Sequence, residues 1–437
     1  MIDSAIFKQL DINFYFLIAV CVYVVLKSRR LHEGDWLNPL AASVVLTIGV
    51  FTVISYLAVL AMLEPEAAIA ASFGSVLQIS TVYLLSIYTG YASASNPVRK
   101  LMYGFLSAFT SARTRRQAPK LLCPALMLTA LFAYAALMVS SGAGVLWLTD
   151  TRTAYQLSRS GSGQWWLMFQ WLLMAAFFTL LFARPYKQLS LRRLTLYTLL
   201  FAMLLYFSGS KAAVLSVLLV GVLYMHYFVR RIPPAKAAVF ALLLIVFFLA
   251  QLVFAGIYET FVEAAAYFVD YFYFGAEFLT RINEVGHRFG EGWLSSLWFY
   301  VPRSVYPGKP YEYGLLLIHQ TLFPGLAEEG TTPGIVVWAL SYLDFGIIGV
   351  IAEGFLIGSF QRAVYLRFER QKSLAMFMLL VSACYIPVLA YATPAIYLAV
   401  SYLLGKLTEG FGGKSRVRQV VVTFNPSAMQ SQVEGAP

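Results

Sequence analysis

Charge is what this sequence has least of. Only 12% of its 437 residues are Asp, Glu, Lys or Arg, against about 25% in an ordinary soluble domain. That scarcity excludes a water-solvated globular chain. Cysteine is also scarce, and Cys21, Cys123 and Cys384 all fall in apolar runs, so a disulfide framework is not expected. There are four histidines, and no set of residues has metal-ligand spacing. No internal repeat is visible. The start, MIDSAIFKQLDIN, lacks the basic opening of a cleavable signal peptide, so the first apolar run is expected to stay as an anchor.

What is present is hydrocarbon. The chain is 60% hydrophobic with a mean hydropathy of +0.71. Each membrane crossing needs roughly 20 apolar residues, and backbone polar groups cannot stay unpaired in lipid, so helices are expected. The reading is all-α: a polytopic membrane helical bundle of about eleven transmembrane helices. Crossings are placed at 10–27, 38–62, 67–90, 121–142, 165–183, 194–208, 212–229, 237–256, 334–360, 373–392 and 394–408. Residues 1–411 form a single transmembrane domain, and 412–437 a flexible cytoplasmic tail.

The net charge of +11 would suggest nucleic acid in a soluble protein. In a membrane protein it follows the accumulation of Lys and Arg in cytoplasmic loops, and no nucleic-acid partner is expected. With the N-terminus outside, 24 of the 32 Lys and Arg residues fall on the cytoplasmic side. The eight left outside are Lys8, Arg152, Arg159, Lys211, Arg281, Arg288, Arg303 and Lys309. Four of these lie in one long outer loop, 257–333. Glu259, Glu263, Asp270, Glu277 and Glu284 recur there at helical spacing, opposite Phe261, Phe268, Phe272 and Leu279. This reads as an amphipathic helix at the membrane interface.

Each outer cation has two readings. In VPRSVYPGKPYEYG (301–314) the prolines hold Arg303 and Lys309 in a non-helical turn, suited to gripping phosphate or merely snorkelling. SGSKAAV (208–214) could offer a helix start and Lys211 to an anion, or be a turn with a serine cap. Arg152 and Arg159 share a helical face or sit in a solvated loop. Glu277/Arg281 and Glu284/Arg288 have the spacing of helix staples. His287 and His319 are the outer histidines, and histidine is the commonest general base. Asp344 and Glu353 are ionisable within a crossing, and such groups face the protein interior or a cavity.

The order of these features, SGSKAAVL, then VPRSVYPGKP, TTPG and SYLDFGIIGVIAEGFLIG, resembles the Wzy-type polymerases of O-antigen and related bacterial polysaccharides. The resemblance covers roughly 140–405. Many members carry Asn-Phe-Gly where this chain has Asp344-Phe345-Gly346. It implies a membrane glycosyltransferase of the GT-C type, related in fold to the O-antigen ligases. Polyprenyl-diphosphate-linked oligosaccharides would be donor and acceptor, joined on the periplasmic face of the bacterial inner membrane. No metal or nucleotide sugar would be needed, and a chain-length regulator is a candidate protein partner. Under this reading His319 and Arg303 are the catalytic candidates. Arg152, Arg159, Lys211, Arg281, Arg288 and Lys309 would bind diphosphate or glycan. An O-antigen ligase-like transferase and a lipid-linked oligosaccharide flippase are the alternatives.

Overall fold

The structure, a computed structural model, describes residues 11–93, 95–109, 121–158, 162–183, 189–254, 258–301, 305–310, 312–324, 334–385 and 403. Every element among them is helical. The chain is a multi-pass helical membrane protein. Eight helices of the described residues are long and apolar enough to cross a bilayer. They are α1 (Ile12–Leu31), α2 (Pro39–Met62), α3 (Ala67–Ala92), α5 (Leu122–Ser140), α7 (Gly163–Phe182), α9 (Lys211–Val229), α10 (Pro234–Phe254) and α14 (Ala339–Arg370). The remaining helices are α4 (Pro97–Phe109), α6 (Thr151–Ser158), α8 (Leu191–Tyr206), α11 (Phe261–Val285), α12 (Glu291–Ser295), α13 (Leu315–Leu322) and α15 (Leu374–Tyr385).

Of the eleven crossings expected, the described residues hold eight helices long and apolar enough to span. Helix α8 has 16 residues, fewer than the roughly 20 that a crossing usually needs, and of the crossing placed at 373–392 the residues after Tyr385 lie outside the described residues. Residues 394–408, apart from Leu403, and the tail 412–437 lie outside the described residues. The crossing placed at 334–360 runs on to Arg370.

Local chemistry sets the helix starts. Asp11 accepts the Asn13 amide at 2.8 Å, Asn38 accepts that of Ala41 at 3.1 Å just ahead of Pro39, and Ser210 caps α9. Each cap satisfies an amide that the helix itself leaves unpaired.

Two hydrophobic cores form. One gathers α5, α7, α8, α9 and α15 around Phe177, Phe201 and Phe377. The other gathers α1, α2, α3 and α11 around Tyr56, Tyr83 and Phe272. Helix α14 serves both, giving Val350 and Ile357 to the second and Val364 and Phe368 to the first. It lies closest to α3. A Cβ added at Gly90 would overlap the Phe355 carbonyl, and one at Gly358 the Ile87 carbonyl. Small residues are what let two backbones approach this closely.

A buried carboxylate ties the cores together at the end of the bundle where α1 finishes. Asp35 is 3% exposed. Its Oδ1 accepts His226 Nε2–H at 2.9 Å and the Leu37 amide at 2.9 Å. Its Oδ2 accepts the hydroxyls of Tyr227 at 3.0 Å and Tyr365 at 2.8 Å. The Ile232 amide donates to His226 Nδ1 at 3.0 Å, which puts the ring proton on Nε2, facing Asp35. Burial alone would raise the Asp35 pKa, but the bonds from His226, Tyr365 and Leu37 outweigh it and hold it below the ordinary 3.8. Beside it, burial and then the Arg362 charge push His32 down to about 3. His32 is therefore a neutral acceptor for the Arg362 guanidinium, 2.8 Å from its Nε2.

Helix α11 lies along the other end, against the last turns of α2. Phe268 and Phe272 are buried, and Glu259, Glu263 and Glu284 are exposed, as the amphipathic pattern requires. Phe261 is 50% exposed, so the apolar face begins one turn later than the sequence suggested. Asp270 sits at the edge of the buried face, where burial pushes its pKa up to about 6.

Candidate functional site

The turn between α8 and α9 is built by Ser208, Gly209 and Ser210. Ser208 is fully buried, its carbonyl accepting Trp166 Nε1–H at 2.8 Å. Gly209 has φ of +66°, and a Cβ there would come within 2.6 Å of the Thr151 carbonyl. Only glycine permits this conformation and contact without strain. The turn thereby brings α6, the helix of Arg152, against the start of α9. The Lys211 ammonium lies 4.8 Å from the Tyr267 ring centroid and 5.7 Å from that of Phe248, a cation–π arrangement. A cleft of about 20 Å³, lined by Thr151, Ser210, Lys211 and Gln251, opens here, enough for a water or one polar group. Gln251 is 9% exposed, and its Oε1 has no partner among the described residues.

The other cations gather elsewhere. Arg281 lies fourteen residues beyond Tyr267 on α11 (281 less 267), roughly 21 Å at 1.5 Å per residue. It pairs with Glu277 at 2.8 Å and donates to the Leu322 carbonyl. Burial raises the Glu277 pKa, and Arg281 opposes that. Lys309 is 8% exposed, its ammonium 4.5 Å from the Tyr313 ring centroid. Arg288 approaches Glu291 at 3.6 Å, and its Nε is buried without a partner among the described residues.

Lys211 and the Arg152 helix thus lie at one end of α11, and Arg281 and Arg288 at the other. Arg159, Arg303 and the Arg152 side chain lie outside the described residues.

His319, on α13, is 1% exposed, and its Nε2 is buried without a partner among the described residues. Burial lowers its pKa, so the ring is neutral. His287 stands differently. Its ring is exposed, and Nδ1 lies 3.3 Å from the Leu343 carbonyl. The Nδ1 proton points at that carbonyl, leaving Nε2 as the acceptor. Nε2 faces Gly346, where a Cβ would stand 3.2 Å away.

This arrangement exists because α14 is broken. Phe345 (φ −138°, ψ 16°) and Gly346 (φ +60°, ψ −148°) leave helical geometry. The carbonyls of Leu343 and Asp344 then accept the amides of Arg288 and Phe289, each at 3.0 Å. The Asp344 carboxylate, fully buried, accepts the Gly292 amide at 2.9 Å and the Trp293 amide at 2.8 Å. Ser341 adds a third tie, accepting Trp293 Nε1–H at 3.1 Å and donating to Glu353. Asp344 directly, and Glu353 through Ser341, hold the segment 287–293 over the break.

The sequence reading expected Asp344 to face the interior or a cavity but named no partner for it. The available signal was Asp344-Phe345-Gly346 itself: a carboxylate beside a glycine inside an apolar helix.

Comparison with protein-family models, with curated proteins and with solved structures finds no match.

Proposed function

We propose that the protein is a membrane glycosyltransferase that joins polyprenyl-diphosphate-linked oligosaccharide repeat units into a polysaccharide on the periplasmic face of the bacterial inner membrane. The observation that carries this reading is the broken α14. Irregular backbone inside a membrane bundle is tolerated where it is buried in protein or lines a polar cavity, and discontinuous helices commonly build substrate sites. Here the break supports an exposed histidine and the arginine beside it.

The chemistry fits these residues. Cleaving a glycosyl–diphosphate bond places growing negative charge on the leaving group, and fixed cations stabilise that charge strongly where water is excluded. Arg281 and Arg288, at the His287 end of α11, are assigned to the diphosphate with Lys309 and Arg303. Lys211, with Arg152 and Arg159, is assigned to the glycan side. The acceptor hydroxyl needs a proton acceptor. His319 is neutral but enclosed, whereas His287 is exposed and its tautomer is set by the Leu343 carbonyl, which favours His287.

The flippase alternative places working ionisable groups at mid-membrane. Here Asp344 accepts the Gly292 and Trp293 amides and Glu353 accepts the Ser341 hydroxyl, an arrangement that holds the segment 287–293 in place. The ligase alternative shares the donor chemistry and differs in the acceptor. Purified protein given only lipid-linked repeat units separates the readings. A polymerase yields a ladder of chain lengths, and the absence of any ladder would sink the proposal.

A further inference from the structure

Helix α4 has no place in the reaction proposed above. Its 13 described residues, Pro97–Phe109, span about 20 Å. It starts where α3 ends. Asn96 caps it by accepting the Arg99 amide at 3.0 Å, and reaches across to Ser359 of α14 at 2.7 Å. Leu106 is 1% exposed and belongs to the core shared by α5, α7 and the end of α14. Farther along, Tyr103 accepts Arg370 Nη1–H at 2.9 Å, and the guanidiniums of Arg370 and Arg367 lie 5.4 and 6.0 Å from its ring centroid. The helix is therefore fixed along the last turns of α14.

Its other face is unusual. Leu101 is 75% exposed and Phe105 is 53% exposed, one turn apart on one side of the helix. Lys100 stands exposed beside them, with Arg99 half-buried. Arg367 and Arg370 flank the same region from α14. Burial, and then the charge of Arg362, lowers the Arg99 pKa, so cations are crowded together here. An apolar stripe bordered by several cations at the end of a transmembrane bundle matches a membrane surface: acyl chains for the stripe, phosphates for the cations.

We propose that α4 is an interfacial helix that binds anionic phospholipid. Leu101 and Phe105 insert at the level of the headgroups, and Arg99, Lys100, Arg367 and Arg370 engage lipid phosphate. The occupant is the surrounding leaflet itself, selected for negative headgroups. This holds whatever the protein transfers.

The full-length protein is purified from vesicles of phosphatidylcholine mixed with phosphatidylglycerol, and the retained lipids are counted by native mass spectrometry. Phosphatidylglycerol should be enriched over its share of the vesicle. The double variant Arg99→Gln/Lys100→Gln should lower that enrichment by about fivefold per cation removed. The charge-conserving Arg99→Lys should keep it, which separates charge from damage to the fold. A bimane label on Leu101→Cys, in a Cys21→Ser background, should shift its emission to the blue when phosphatidylglycerol is added. Equal retention of the two lipids by the unaltered protein would overturn the proposal. So would a Leu101 label indifferent to vesicle composition, which would mark the face as a protein-docking surface instead.

Discussion

Replacing Asp344 with asparagine removes one of the two acceptors that hold the segment 287–293 over the break in α14. The carboxylate takes the Gly292 amide on Oδ1 and the Trp293 amide on Oδ2. An asparagine oxygen can keep one of these, but its NH₂ group then faces the other amide. A hydrogen bond to a charged group contributes about 1.5–3 kcal/mol, and leaving a buried N–H unmet costs about 1–3 kcal/mol. Asp344→Asn should therefore cost about 2–3 kcal/mol. Asp344→Leu, which leaves both amides unmet, should cost about 4–5 kcal/mol by the same reasoning. Because Arg288 and Phe289 bond to the carbonyls of Leu343 and Asp344, the loosened segment carries His287 away from Gly346. Thermal unfolding in detergent, followed by tryptophan fluorescence, should rank wild type above Asp344→Asn and that above Asp344→Leu. Transfer activity should fall in the same order. If both variants unfold at the wild-type temperature and keep full activity, Asp344 does not clamp the break and the site is wrongly built.

Further outcomes follow from the buried titratable groups. Asp35→Asn should destabilise the bundle by about 3 kcal/mol or more, since it weakens a fully hydrogen-bonded buried carboxylate. Because the folded pKa of Asp35 is lowered, its contribution is present above pH 3.8 and is lost as the pH falls through its lower folded value. Acid unfolding should therefore be shallower in the variant. Asp270 has the opposite sign. Its pKa is raised to about 6, so its favourable contribution is present below pH 3.8 and lost as the pH rises through about 6. After discounting for its partial exposure, Asp270→Asn should raise stability at pH 7 by about 1 kcal/mol and flatten the profile between those values. His287→Ala should lower transfer by about 10²–10⁴-fold with unfolding unchanged. His319→Ala, at an enclosed position, should mainly shift the unfolding temperature. The reverse pattern would return the proton-acceptor role to His319.

Much of the fold could be read from the residues. Long apolar runs bounded by Asp11, Asn38 and Ser210 mark real helices, because apolar length and capping are local properties. The period of Phe268 and Phe272 likewise gave the buried face of α11. The crossing placed at 194–208 corresponds to Leu191–Tyr206, a helix of 16 residues, shorter than the roughly 20 that a crossing usually needs. The candidate site was less legible for a geometric reason. The outer cations carry no sign of their separation: fourteen residues of α11, from Tyr267 to Arg281, stand between Lys211 and Arg281, and sequence spacing does not report a rigid spacer between distant segments. The break at Gly346 was hidden because it is stabilised from outside, by the amides of residues 288–293. A helix interrupted by tertiary contacts keeps the apolar composition of an intact one.

The central claim is that lipid-linked repeat units are both donor and acceptor, and one reconstitution tests it. Purified protein in proteoliposomes is supplied with polyprenyl-diphosphate-linked repeat units and nothing else, and the glycans are released and sized. A ladder of chain lengths, absent in Lys211→Gln and His287→Ala, is the predicted result. Unchanged repeat units from a folded wild-type protein, or transfer only after a different lipid acceptor is added, would contradict it.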